Sequence, residues 1–180
     1  MTRTASRNLL VAIAATALLA GCGSVDAGAA AVVGDRRISV TEVQTATADA
    51  HALGAQIDQS QILYMLAISP FVQEIAARYN ATASPDEARK ELGNKVKNPS
   101  KGLLSVIRAE ISAGRIQNQA GPQMMQQAVA EANQKLDTAG FTVNPRFGEF
   151  DPKTRKFSPT KVNWLVDTKA DLAPAPAPGQ

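Results

Sequence analysis

The sequence predicts a mainly α-helical domain of about five helices, closed by a minimal two-stranded β-sheet that its N- and C-terminal strands form, with disordered tails. Three observations lead there. Helix-start chemistry recurs along the chain at Ser39, Asp58, Ser84, Asn98-Pro99 and Gly121-Pro122. Apolar residues between these signals fall at three- and four-residue spacing, the period of a helix with one buried face. Only two short runs have strand character, one before the first helix signal and one after the last.

The first run is Ala30 to Val33, followed by Gly34-Asp35, which is turn chemistry, and by a return to apolar character at Ile38. Ser39-Val40-Thr41-Glu42 fits a capping box, in which the serine oxygen accepts from the Glu42 amide while Glu42 reaches back to the Ser39 amide. The helix it opens carries Val40, Val43, Ala46, Ala50 and Leu53 on one stripe and meets Gly54 near its end. A second helix begins after Asp58, with Gln61 as its cap partner and Ile62, Leu63, Leu66, Phe71, Ile75 and Tyr79 on its apolar side. Pro70 either kinks one long helix or, with Ser69 as cap, starts another. Ser84-Pro85-Asp86-Glu87 places a cap, a first-position proline and two first-turn acids in order, and Ala88, Leu92 and Val96 follow on one face. Asn98-Pro99 precedes a fourth helix with Leu103, Leu104, Ile107 and Ile111. Gly121-Pro122 opens a fifth with Met124, Met125, Ala128, Val129, Ala132 and Leu136, and Gly140 suits its left-handed C-terminal residue. After Gly140 the period becomes two in Phe141-Thr142-Val143-Asn144, the closing strand.

Upstream of the fold, Arg3 and Arg7 precede an apolar run from Leu9 to Ala20. A basic stretch, an apolar stretch of roughly a dozen residues and small residues before a cut form an export signal. The run falls short of the about 20 residues a bilayer span needs. Leu19-Ala20-Gly21-Cys22 resembles the bacterial lipobox, in which the cysteine is lipidated and the chain is cut before it. Residues 1–21 are therefore expected to be a lipoprotein signal peptide, and Cys22, the only cysteine, the lipidation site. A diacylglycerol anchor supplies two acyl chains, enough for stable attachment to the extracytoplasmic side of the cell membrane. With one cysteine no intramolecular disulfide forms, so stability rests on an apolar core. Residues 22–29 are small and polar and read as a tether, 30–167 as the helical domain, and 168–180, with its alternation of Ala and Pro, as a disordered tail.

Charge excludes one class of partner. The chain carries 19 Lys and Arg against 16 Asp and Glu, and the leader takes two of the basic residues with it. No basic stripe interleaved with aromatics appears, so no nucleic acid is expected as a partner.

The stretches AAVVGDRRISVTEVQ, AARYNATASPDEARKEL and FTVNPRFGEFDP together resemble the N-terminal chaperone domain of SurA/PrsA-type extracytoplasmic folding factors, over roughly residues 30–152. The resemblance implies a chaperone scaffold. Many members also carry a parvulin prolyl-isomerase domain with active-site histidines. Here no inter-helix stretch is long enough for one and His51 is the only histidine, which argues against isomerase activity.

The residues themselves point away from catalysis. A nucleophilic centre needs a base beside its nucleophile, yet His51 reads as a surface or packed residue and Cys22 as acylated. Asp86, Glu87 and Glu91 read as a solvated helix start, no cluster has zinc-ligand spacing, and phosphate-binding glycine patterns are absent. No enzyme, metal or cofactor is expected. What remains is binding through shape and apolar contact. Met124 and Met125 are candidate client contacts, because flexible thioethers repack against varied apolar groups. Phe147, Phe150 and Phe157, near Arg146, Arg155 and Lys156, dock a partner or lock the domain shut, and Trp164 poses the same choice with packing favoured. The expected function is a membrane-anchored, noncatalytic holdase for exported unfolded polypeptides, and the alternative is an adaptor for one envelope protein. Replacing Cys22 with Ser is expected to move the protein from the membrane to the soluble fraction, and retention in the membrane pellet would contradict the anchor.

Overall fold

The computed structural model describes residues 28–160. The signal peptide, Cys22, nearly all of the tether, Trp164 and the Ala/Pro tail lie outside the described residues. The elements run β1 (Ala29–Val33), β2 (Arg36–Ser39), α1 (Val40–Ala52), α2 (Gln59–Arg78), α3 (Pro85–Leu92), α4 (Lys101–Ala139), β3 (Phe141–Val143), a 3-10 turn (Pro145–Phe147), β4 (Glu149–Asp151) and β5 (Lys156–Ser158). The class is the expected one, a mainly helical domain with small antiparallel sheets.

The expected pairing of the two terminal strands is present. β1 and β3 are antiparallel, with Ala31 opposite Val143 and Val33 opposite Phe141. The sheet is nevertheless three-stranded and not two-stranded, because Gly34 adopts φ 56 and turns the chain so that β2 pairs back onto β1. The order is β2-β1-β3, and β4 and β5 form a separate hairpin.

The expected fourth and fifth helices are both present as the two arms of α4, from Lys101 to Ala139, and they meet at a kink at Gly121, whose φ 84 and ψ 172 are not helical. Pro122 lacks an amide hydrogen to extend the preceding turn, and only glycine tolerates this backbone easily. Gly140, at φ 82, ends the helix as its position suggested. α3 stops at Leu92, where Gly93 takes φ 57, so Val96 lies in the following loop and not on that helix face.

The caps act as their chemistry requires, with one departure. Asp58 and Gln61, and likewise Ser84 and Glu87, satisfy each other's orphan amides reciprocally. Glu87 also takes the Arg115 guanidinium, and these hydrogen bonds, led by that of Arg115, hold its carboxyl down at about 2. At α1 only half of the expected box forms. Ser39 Oγ accepts from the Glu42 amide at 3.0 Å, while the Glu42 carboxylate faces Arg36 at 3.8 Å.

Arg36 has a second task, which resolves the two readings of Pro70. α2 runs unbroken through Pro70, and proline removes the amide that would have bonded to the carbonyl four residues back, that of Leu66. The Arg36 Nη1 donates to that carbonyl oxygen at 2.8 Å. The neighbouring Met65 carbonyl accepts from the buried Ser69 hydroxyl at 2.5 Å. A side chain from the sheet thus supplies the donor that the helix lacks.

The core lies where α1, α2 and α4 meet beneath the sheet. Ile38, Val43, Ile62, Leu63, Leu66, Leu103 and Leu136 are buried there. At Gly102 an added Cβ would come within 3.2 Å of Ala46 and 3.3 Å of Leu66, so hydrogen alone lets α4 approach both neighbours. A second cluster of Ile75, Ala76, Ala81, Ile116, Ala128 and Ala132 fills the end near the bend. The fully buried Ser112 hydroxyl accepts from Ala83 N and Gln73 Nε2, both at 2.9 Å, and seats the loop before α3.

Arg36→Met should leave the Leu66 carbonyl unpaired and lower stability by about 1–3 kcal/mol. In a Pro70→Ala background the restored amide takes over that carbonyl, so the same replacement should cost less. Urea unfolding of the four proteins in the cycle measures the coupling, and strict additivity would show that the two residues do not act on one oxygen.

Candidate functional site: an apolar cleft beside the aromatic hairpin

A cleft of about 730 Å³ opens between the start of α2 and the β4–β5 hairpin. Its walls follow from local structure. Gly54, at φ 85, turns the chain out of α1, so Ala55–Asp58 forms one rim. The His51 Nε2 donates to the Ile57 carbonyl at 2.7 Å and holds this rim. The single histidine therefore serves as a loop staple. Asp58 then starts α2, whose first turns present Tyr64 and Met65 to the opening. Hydrogen bonds from the Ser60 hydroxyl and the Gln61 amide hold the Asp58 carboxyl below its usual range.

The opposite wall is the end of the β4–β5 hairpin, Arg155, Lys156 and Phe157. Phe150 and Phe157 are direct cross-strand partners, with ring centroids 5.2 Å apart. Phe150 stacks on Tyr64 at 5.7 Å and meets the edge of Phe141 at 4.9 Å. Such contacts stabilise beyond the area they bury. The Tyr64 hydroxyl donates to Asn133 at 2.5 Å, and burial raises its pKa above 10.0. Arg155 fixes the hairpin tip to α4 with a two-pronged pair to Asp137, at 2.7 and 2.6 Å. That pair lowers the Asp137 carboxyl and raises the Arg155 guanidinium. The result is a floor of Ile57, Tyr64, Met65 and Phe157 between rims bearing both signs of charge.

A second apolar surface contains the methionine pair. Met124 and Met125 are both half-buried and face different neighbours. Met124 packs on the second core cluster and its sulfur accepts from the Tyr79 hydroxyl at 3.2 Å. Met125 lines a narrow crevice with Val72, Ile75, Ile116 and Val129, and Val129 is 39% exposed. The two methionines lie on the arm of α4 beyond Gly121, apart from the residues lining the main cleft.

The other residues singled out by sequence fall into structural roles. Asp86 pairs with Arg89 at 2.7 Å, Glu87 belongs to the α3 cap, and Glu91 is exposed. Phe147 is buried in the main core. Among the described residues no group of three or more His, Cys, Asp or Glu stands together as metal ligands, and no helix is long and apolar enough to cross a membrane. The cleft itself was missed from sequence. Nothing local singles out Ile57, Tyr64 or Met65, and the Asp137–Arg155 pair exists only once the hairpin folds back.

Comparison of the chain with protein-family models, with curated proteins and with solved structures finds no match.

Asp137→Ala should release the hairpin tip. Amide hydrogen exchange across residues 149–158 is expected to speed up, while global stability falls by no more than about 1 kcal/mol, as for an exposed ion pair. Unchanged exchange there would mean that the aromatic stack alone holds the cleft wall.

Proposed function

We propose that this chain is an extracytoplasmic lipoprotein, anchored through Cys22, that holds apolar segments of exported unfolded polypeptides without catalysing a reaction on them. The observation that carries this reading is the open cleft floored by Ile57, Tyr64, Met65 and Phe157. A thioether and aromatic rings accept side chains of many shapes, and transient capture needs only exposed apolar surface to cover. The Met125–Val129 surface offers a second contact of the same kind. The export signal and the lipobox-like Leu19-Ala20-Gly21-Cys22 support the location. The stretches that resemble SurA/PrsA-type chaperone domains support the scaffold, and their first and last parts lie side by side as β1 and β3.

An adaptor for one envelope protein is the second reading, favoured by one observation. The two-pronged Asp137–Arg155 pair and the Tyr64–Phe150 stack hold the cleft wall in a set position, which suits one partner of fixed shape.

Light scattering separates the two readings. A chain from Gly23 to Gln180, which keeps every described residue, should suppress aggregation of two unrelated denatured proteins at near-stoichiometric amounts, and Met65→Ala should weaken that effect. Suppression of neither, by a chain whose helix content is intact, favours the adaptor.

A further inference from the structure

The segment that carries the chain from the end of α3 into α4 holds Lys90, Lys95, Lys97 and Lys101 against a single acid, Glu91. All four lysines are exposed. The acids at the start of α3 are already taken, Asp86 by Arg89 and Glu87 by Arg115, and among the described residues no ion pair engages any of the four lysines. Both ends of the segment are fixed. Leu92 is buried in the main core, and the Ser100 amide donates to Asp49 Oδ2 at 2.8 Å, in the last turns of α1. The fold therefore holds like charges together in one place and supplies them with no counter-charge, which an anionic surface outside the protein would provide.

The path from this loop to the N-terminus of the fold runs along α1. At its start the Val40 amide donates to the Gly28 carbonyl at 2.9 Å, and Asp49 lies nine residues on, about 14 Å along the helix axis. The outer stripe of the helix is Thr41, Gln44, Thr45, Ala48 and Ala52, all exposed and none charged. The two acids of α1 are engaged elsewhere, Glu42 facing Arg36 and Asp49 accepting from Ser100. No free carboxylate on this helix therefore opposes an anionic surface laid along it. Six residues separate Cys22 from Gly28, at most about 20 Å of chain. A lipid on Cys22 and the lysine loop are thus within reach of one bilayer face, with the neutral stripe of α1 between them.

We propose that the loop bearing Lys95 and Lys97, flanked by Lys90 and Lys101, docks on the phosphate headgroups of an anionic phospholipid bilayer. It rests on the Cys22 anchor only for bringing the domain to a membrane. Each lysine held at an anionic surface raises partitioning about fivefold. The attraction fades within about 8 Å at physiological ionic strength, so the loop orients a molecule that its lipid already holds and does not replace the lipid. Release of the Cys22→Ser protein from membranes is compatible with this.

The test uses the Gly23–Gln180 chain, which lacks the lipid, and vesicles made of equal parts phosphatidylglycerol and phosphatidylcholine or of phosphatidylcholine alone. At low salt the chain should sediment with the anionic vesicles and not with the neutral ones, and added salt should release it. Lys95→Gln combined with Lys97→Gln should lower the partition coefficient more than tenfold, with helix content by circular dichroism unchanged. Lys135→Gln combined with Lys153→Gln removes the same charge near the end of α4 and on the hairpin, and should change it less than twofold. In the unaltered chain, anionic vesicles should slow acetylation of Lys90, Lys95, Lys97 and Lys101 relative to Lys153, a measurement that needs no variant. Equal sedimentation with both vesicle types, or with neither, would overturn the proposal. So would binding that both double replacements weaken alike, or lysines of the loop that stay as reactive as Lys153. The vesicles supply the bilayer and no client is present, so failure here leaves the anchor and holdase readings to their own tests, and failure of those leaves this result standing.

Discussion

The hydrogen bond from Arg36 to the Leu66 carbonyl is the constraint on which the arrangement of the domain depends. α2 needs to run unbroken from Asp58 to Arg78 to span both apolar clusters, yet Pro70 sits inside it and removes one rung of the ladder. A buried carbonyl without a donor costs far more than a solvated one. The guanidinium that supplies the donor comes from β2, so the continuity of the central helix and the position of the sheet are settled together. Arg36 in turn faces Glu42 in the first turn of α1. One side chain thereby joins the sheet to both of the first two helices, and the close approach of α4 at Gly102 follows once α1 and α2 are so placed.

This also shows where the sequence was legible. The caps at Ser39, Asp58 and Ser84 act through contacts within three residues, and each of those helices starts where that chemistry puts it. The pairing of β1 with β3 could be inferred because each run had strand character at opposite ends of a helical chain. The missed features depend on partners distant in sequence. Nothing near Pro70 says that Arg36 will serve the Leu66 carbonyl, and without that donor a broken helix is equally sensible. Glu42 was assigned to its own cap because a local partner is visible and Arg36 is not. The boundary at Gly121-Pro122, by contrast, was legible because its chemistry is local: the positive φ of Gly121 and the missing amide of Pro122 break the ladder there. The cleft was illegible for the same reason as the Arg36 contacts, since its two walls come from α2 and from a hairpin some ninety residues later.

The electrostatics of the molecule serve placement. The lowered carboxyls of Glu87 and Asp137 each owe most to an arginine on another element, and the two pairs attach α3 and the hairpin to α4. Arg115 also donates to the Thr82 carbonyl at 2.6 Å, and Arg108 donates to that of Ala83 at 2.9 Å. Cations along α4 therefore collect the backbone carbonyls of the loop that leads into α3. At the cleft, Arg155 is engaged by Asp137 and Asp58 by its cap partners, with Lys156 at the margin.

The middle position of β1 in its sheet orders events in time. Its partner β2 follows within a few residues, but its other partner, β3, begins only at Phe141. In a chain delivered N-terminus first, whether by a ribosome or by a translocation channel, one side of β1 must wait until four helices have passed. Contacts between residues so far apart carry the largest loop-closure cost and form late. Through that interval β1 displays Ala31 to Val33 with unsatisfied backbone groups, the kind of edge that promotes intermolecular pairing. The last step of maturation is thus the meeting of the two ends of the domain, and a nascent molecule stalled before Phe141 would itself need the shelter of a chaperone.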